Sequence, residues 1–112
     1  ALDNGSALLT GVVVARREVV ESNPTAVDAF LSDYAASVEW VNANTADAAA
    51  LIGDYGIVEA AVAEKALPYC NIVCITGTEM KDKLSGYLQV LCDADSASVG
   101  DAMPGDDFYY GA

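Results

Sequence analysis

The apolar positions of this chain fall into two patterns. Residues 8–15, LLTGVVVA, are an apolar run with three consecutive valines, and residues 72–75, IVCI, are a second short run. Such continuous runs are typical of strands that are buried on both faces of a sheet. Elsewhere apolar residues recur at steps of three and four, which is the spacing of one helix face. The pattern predicts an α/β fold that is rich in helix, with two short strands and about five helices.

The segment after Asn23 has the clearest helical pattern. Asn23 is a suitable N-cap, and Pro24 suits the first helical position because proline has no N–H to leave unbonded. A helix from Pro24 to residues 42–44 would carry on one face Val27, Phe30, Leu31, Tyr34, Val38 and Val41. The sequence therefore predicts a long amphipathic helix here.

Four other helices are predicted from periodicity and end signals. They cover residues 16–22, the stretch from the N-cap candidate Thr45 to the C-cap Gly56, residues 58–67, and a stretch that begins at Thr76 or Thr78. Alanine supplies much of the apolar content, and it favours helices but buries little area. We therefore expect closely packed helices around few large side chains.

Two short strands are too few to form a sheet that covers five helix faces. We therefore expect partner strands from sequence outside this chain or from a second copy of it. Residues 1–7 are predicted to be a loose leader, and residues 8–112 a single segment of a larger lobe. A truncated protein of this kind would keep its packing faces without having their partners.

Charge and residue types exclude several functions. The chain has 17 acidic and 5 basic residues, a net charge of -12 and no histidine. Nucleic acid is not expected as a partner because its binding requires a basic surface. Catalysis by imidazole is impossible without histidine. The serines lack a GxSxG-like setting, and the cysteines have no adjacent base and lie in apolar runs. We predict neither an enzyme nor a catalytic residue, metal site or cofactor.

The three cysteines are predicted to be structural. Cys70, Cys74 and Cys92 are odd in number and lie in apolar surroundings, which argues against a disulfide scaffold. They are expected to be small buried hydrophobic residues. The aromatic tail Phe108, Tyr109 and Tyr110 is expected to pack on a neighbouring lobe.

Two short Thr-Gly motifs are the candidate ligand-binding residues: Thr10-Gly11 at the start of the first predicted strand, and Thr76-Gly77 between the second strand and the last helix. N–H groups at a helix N-terminus bind anions, and ligands of open α/β sheets lie beyond the strand ends. The structural alternatives are strand entry for Thr10-Gly11, and an N-cap with a turn for Thr76-Gly77. Both interpretations stay open.

Five sequence stretches carry a resemblance to a known family. They are TGVVVARREVVESNPTAVDAFL, YGI, ALPYCNI, GTEMKDKLSGYLQVL and VGDAMPGDDFYY. Together they resemble the C-terminal part of solute-binding proteins of ABC importers. The branch is the one grouped with aliphatic-sulfonate, taurine, nitrate and thiamine-precursor binders. The likeness covers most of the chain, but none of its motifs is specific for one ligand.

The resemblance implies a fold, a function and a location. The fold is a helix-rich part of one lobe of a type II periplasmic binding protein. The function is transport, in which a small anionic or heterocyclic solute is held between two lobes and presented to ABC permease subunits. The parent protein would carry an export signal and act outside the cytoplasmic membrane, in the periplasm or lipid-anchored at the cell surface. The alternative is a self-associating helical module without a small-molecule ligand, which forms a homodimer through strand edges.

Overall fold

Helices form most of the part of the chain that the computed structural model describes, residues 7–112. The α-helices are α1 (Arg17–Ser22), α2 (Pro24–Ala43), α3 (Thr45–Asp54), α4 (Ala60–Ala66) and α5 (Gly77–Ala94). Short 3₁₀ turns cover Leu67–Tyr69, Ser96–Val99 and Asp106–Phe108. Residues 1–6 lie outside the described part, and so does nearly all of the leader predicted for residues 1–7.

The prediction of an α/β fold is wrong. Residues 7–112 contain neither a strand nor a sheet, and both predicted strands are connecting segments without regular secondary structure. A strand requires a hydrogen-bonded neighbour, and the backbone of residues 8–15 forms no backbone hydrogen bond within the described chain. The apolar runs have the composition of strands but lack a partner. The helix-rich part of the prediction is confirmed.

Residues 15–74 form one compact unit, which contains α1 to α4. Its core is a small cluster that combines three alanines with one leucine: Ala48, Ala49, Ala63 and Leu67. Val41, Ile52 and Ile72 are partly buried against this cluster. The expectation of close helices around few large side chains is confirmed for this unit.

Helices α3 and α4 approach each other closely at Gly53 and Ala60. A Cβ atom added to Gly53 would lie 2.9 Å from the Cβ of Ala60, which is shorter than a normal contact. Across the same unit, the Asn42 side chain donates a hydrogen bond of 2.9 Å to the carbonyl of Ile72. These contacts fix α3 against α4 and hold the segment after α4 to the end of α2.

The ends of the helices follow the predicted signals in two places. The Asn23 side chain accepts a hydrogen bond of 3.2 Å from the N–H of Ala26, and Pro24 is the first residue of α2. Gly56 ends α3 in the left-handed conformation, with φ +68°. The cap of α3 differs from prediction by one residue: Asn44 takes that position, while Thr45 is the first helical residue.

Gly56 provides a test of this C-terminal cap. Its N–H donates to the carbonyl of Gly53 and the next N–H, of Ile57, to that of Ile52, which is a Schellman arrangement. We expect Gly56→Ala to lower the free energy of unfolding by about 1 kcal/mol, because alanine is strained at positive φ. A Cβ there would meet no other atom, so the loss would come from the backbone alone. Urea unfolding measures it, and Gly56→Asn, which tolerates this conformation, should lose less. Equal losses for alanine and asparagine would contradict the explanation.

The second unit contains residues 7–14 and 75–112. Its main element is α5, which is followed by the 3₁₀ turn at Ser96–Val99 and by a tail that includes Asp106–Phe108. Asp95 caps the start of that turn, because its carboxylate accepts a hydrogen bond of 3.1 Å from the N–H of Ala97. The prediction that residues 8–112 are a single segment of a larger lobe stays a prediction.

Candidate functional site

An open depression lies between residues 9–12 and one face of α5. It has a volume of about 190 Å³, and its lining is mostly apolar: Leu9, Thr10, Gly11, Val12, Leu84, Tyr87 and Leu88. Leu84, Tyr87 and Leu88 are three and four residues apart, so they share one face of α5. A depression this open offers one wall to a ligand and does not enclose it.

The structure places the two Thr-Gly motifs differently. Thr10 and Gly11 line the depression, whereas Thr76 and Gly77 do not. Thr76 occupies the N-cap position of α5, but its side chain makes no capping hydrogen bond. Gly77 has φ +64°, a conformation that favours glycine. The structure thus gives Gly77 a backbone role, while ligand binding by the four residues stays a prediction.

The C-terminal tail forms the best-defined polar cluster of this unit. The Lys81 ammonium lies 2.9 Å from a carboxylate oxygen of Asp106 and 5.9 Å from the centre of the Tyr109 ring. The Phe108 ring meets Tyr109 edge to face, with centres 5.2 Å apart. Tyr109 is 5% exposed. The prediction of tail packing on a neighbouring lobe is therefore wrong for Tyr109, which is buried within this chain.

The environment of this cluster favours uncharged Tyr109 beside charged Lys81. Burial raises the pKa of Tyr109 above its ordinary value of 10.0, and the positive charge of Lys81 acts in the opposite direction. The hydrogen bond to Asp106 raises the pKa of Lys81. The Tyr109 hydroxyl is buried and has no hydrogen-bond partner among residues 7–112. The cluster therefore holds the tail against α5.

Sequence reasoning did not find the Lys81–Tyr109 pairing. The two residues are 28 positions apart, and nothing in their spacing indicates a contact. The only signal in the sequence was the aromatic tail itself, from which one ring could be expected to be buried against the rest of the chain. Three consecutive aromatic candidates made that residue impossible to choose from the sequence.

The cysteines are free thiols with different exposure. Cys74 and Cys92 are partly buried, whereas Cys70 is exposed, so the prediction of a buried residue is wrong for Cys70. Cys70 follows a 3₁₀ turn, and its Sγ lies 3.3 Å from the carbonyl of Ala66, within hydrogen-bonding distance. Among residues 7–112, no group of three or more metal-binding side chains lies close enough to hold an ion. Over the same residues, no helix has the length and apolar character that crossing a membrane requires.

Comparison of the chain with protein-family models, with curated proteins and with solved structures found no match in any of the three.

Proposed function

We propose that this chain is part of the solute-binding component of an ABC importer. The five stretches quoted above support the assignment to that family. The uncovered apolar surface supports the proposal that this chain is only one part of the protein. Only five hydrophobic residues of the described chain are buried: Ala48, Ala49, Ala63, Leu67 and Tyr109. Far larger side chains lie on the surface, among them Leu8, Val14, Tyr55, Ile57 and Tyr69, which are 70–84% exposed.

The uncovered surface is the observation that carries the proposal. A soluble monomer rarely leaves large contiguous apolar patches on its surface. Val12, Val13 and Val14 follow one another and are 61%, 51% and 82% exposed. In the proposal, further polypeptide of the receptor covers these residues. The helices of this chain would then supply one part of a larger packed body.

The open depression suits one wall of a site that is completed elsewhere. Thr10 offers a hydroxyl, while Leu84, Tyr87 and Leu88 offer apolar contact. Pockets that bind small molecules tightly bury most of the ligand surface, which this depression cannot do alone. The solute would be a small anion or heterocycle, and Thr10 and Gly11 are the proposed contact residues. Thr76 and Gly77 remain proposed as a second contact, through the N–H groups of α5.

Partners and location follow from the same proposal. Closure of two lobes around the solute would present the loaded receptor to the permease subunits of the importer. The parent protein would act outside the cytoplasmic membrane, freely or through a lipid anchor. Nucleic acid does not fit, because a net charge of -12 repels phosphates.

Calorimetric titration tests the incomplete site. We expect the 112-residue chain to bind taurine, an aliphatic sulfonate, nitrate or a pyrimidine only weakly, with a Kd of about 1 mM or higher, because most of the ligand surface would stay in water. The product of the complete reading frame should bind one of them at least about 100-fold more tightly. In that longer protein, Thr10→Val should weaken binding, whereas Thr25→Val on the surface of α2 should not.

Two results would overturn this proposal. Micromolar binding by the 112-residue chain would show that its site is complete. A longer reading frame whose product binds none of the four ligand classes would remove the support for a receptor of this branch.

A second candidate function is a self-associating helical module without a small-molecule ligand. One observation favours it: the backbone of residues 8–15 forms no backbone hydrogen bond within the described chain. An unpaired apolar segment is a template for pairing with another chain. In this alternative the exposed valines would be covered by a second copy.

A further inference from the structure

The depression between residues 9–12 and α5 has a wall without charge. None of the described residues that line it is acidic or basic, and only the hydroxyls of Thr10 and Tyr87 add polar side-chain atoms to it. Neither hydroxyl forms a hydrogen bond with another described residue. A hydroxyl both donates and accepts, so these two groups can bond an uncharged polar atom of either kind.

The positive charges of this unit are already paired. The described residues of the second unit contain seven acidic side chains but only two basic ones, Lys81 and Lys83. The Lys81 ammonium lies 2.9 Å from a carboxylate oxygen of Asp106, and the Lys83 ammonium lies 3.7 Å from one of Glu79. An anion in the depression would therefore meet a unit of net negative charge whose lysines already face carboxylates.

The N-terminus of α5 does not supply the missing positive charge. The N–H groups of an open helix N-terminus attract anions. Here the tail brings the carbonyl oxygen of Gly111 to within 3.6 Å of a Cβ atom added to Gly77. That oxygen carries a partial negative charge, so the chain itself would repel an anion at this corner. Thr76 and Gly77 also do not line the depression.

The cost of desolvation then selects the ligand. Placing a charge against hydrocarbon is costly unless the charge is paired and hydrogen-bonded, whereas apolar surface gains free energy there. A cation is no better suited than an anion, because none of the described lining residues has a carboxylate. The volume of about 190 Å³ lies below the roughly 300–1,000 Å³ of sites for drug-sized ligands, which suits a single ring.

We propose that the depression takes an uncharged single-ring compound with one or two hydrogen-bonding atoms, and that it discriminates against anions. Leu84 and Leu88 contact the ring, and the Thr10 and Tyr87 hydroxyls bond its polar atoms. This inference rests on the function proposed above. It narrows the solute from a small anion or heterocycle to an uncharged ring.

A matched pair of probes tests the preference for an uncharged ligand. Benzamide and benzoate have nearly the same shape, but only benzoate carries a negative charge at neutral pH. Each is titrated into the 112-residue chain, and the amide resonances of residues 9–12 and 84–88 are followed by NMR. We expect benzamide to shift these resonances with a Kd of about 1–10 mM, as befits one wall of a site. Benzoate should bind at least about tenfold more weakly, because its charge finds no partner.

Thr10→Lys tests the cause of the preference. Thr10 is exposed and lies outside the helices, so the substitution should leave helix content by circular dichroism unchanged. Its ammonium would supply the missing charge, and benzoate should then bind about fivefold more tightly than to the wild type. Benzamide should not gain. Thr78→Lys is the matched control, since Thr78 is also exposed but does not line the depression. A similar gain for benzoate in the control would show an effect of net charge alone and contradict the assignment of the site.

The outcomes separate this inference from the proposed function. Equal affinity for the two probes, or tighter binding of benzoate, would overturn the inference, and so would the absence of any shift at residues 9–12 and 84–88. Tight binding of a sulfonate or nitrate by the product of the complete reading frame would overturn it too, but would support the importer receptor. If that product binds none of the four ligand classes while the chain still prefers benzamide, the receptor proposal fails and the charge preference stands.

Discussion

Leu67→Ala is expected to lower the free energy of unfolding by about 2–4 kcal/mol, the range for truncating a buried leucine. Leu67 is 7% exposed and is the only large side chain among the four residues of its core cluster. Its neighbours Ala48, Ala49 and Ala63 are too short to fill the space that a truncated side chain would leave. Denaturation by urea, followed by circular dichroism, measures the loss.

Leu51→Ala is the matched control for Leu67. Leu51 lies on α3 in the same unit, but it is 46% exposed. Its truncation removes the same atoms from a site that is already half in water, so the loss should stay below about 1 kcal/mol. Similar losses for the two variants would contradict the assignment of Leu67 to the core.

Tyr109 is expected to give opposite results for two substitutions. Tyr109→Ala should cost about 3–5 kcal/mol, because it removes a buried ring that contacts Phe108 and Lys81. Tyr109→Phe should instead stabilise the chain by about 1 kcal/mol, because it removes a buried hydroxyl without a hydrogen-bond partner. Thermal unfolding compares the variants, with Tyr69→Phe as the control for an 84% exposed hydroxyl. Destabilisation by phenylalanine at position 109 would show that the hydroxyl has a partner.

The same residue predicts a pH dependence. Burial raises the pKa of Tyr109 in the folded chain above its ordinary value of 10.0. A raised pKa means that the folded chain holds the proton more tightly than the unfolded chain does. The stability that protonated Tyr109 contributes is therefore fully present below pH 10, and it decreases as the pH rises through the pKa of Tyr109 in the folded chain. Tyr109→Phe should lose less stability than the wild type above pH 10.

Local signals predicted the helices well because each of them acts over a few residues. The Asn23-Pro24 pair starts α2, and Gly56 ends α3 with a positive φ, as their conformational preferences require. The two strands failed for a different reason. The valines of residues 12–14 favour extended backbone, but a strand also needs a hydrogen-bonded neighbour. That neighbour is not encoded in the local pattern.

The candidate site was predictable only in part. Thr10 and Gly11 line the open depression described above, opposite Leu84, Tyr87 and Leu88 of α5. Thr76 and Gly77 were placed near them on the assumption of a sheet, whose strand ends would have brought the two motifs together. Without a sheet among residues 7–112, nothing directs Thr76 and Gly77 to that depression.

The close approach of α3 and α4 restricts how this sequence can diverge. A single added methyl group at Gly53 would already lie 2.9 Å from the Cβ of Ala60, so Gly53 has no room for a larger side chain. A larger residue at Gly53 would be selected against, because α3 and α4 would have to separate to accommodate it. Their separation would also open the alanine core beside them. We therefore expect this contact to be conserved among homologues more strongly than the exposed apolar segments, because those segments depend on whatever partner covers them.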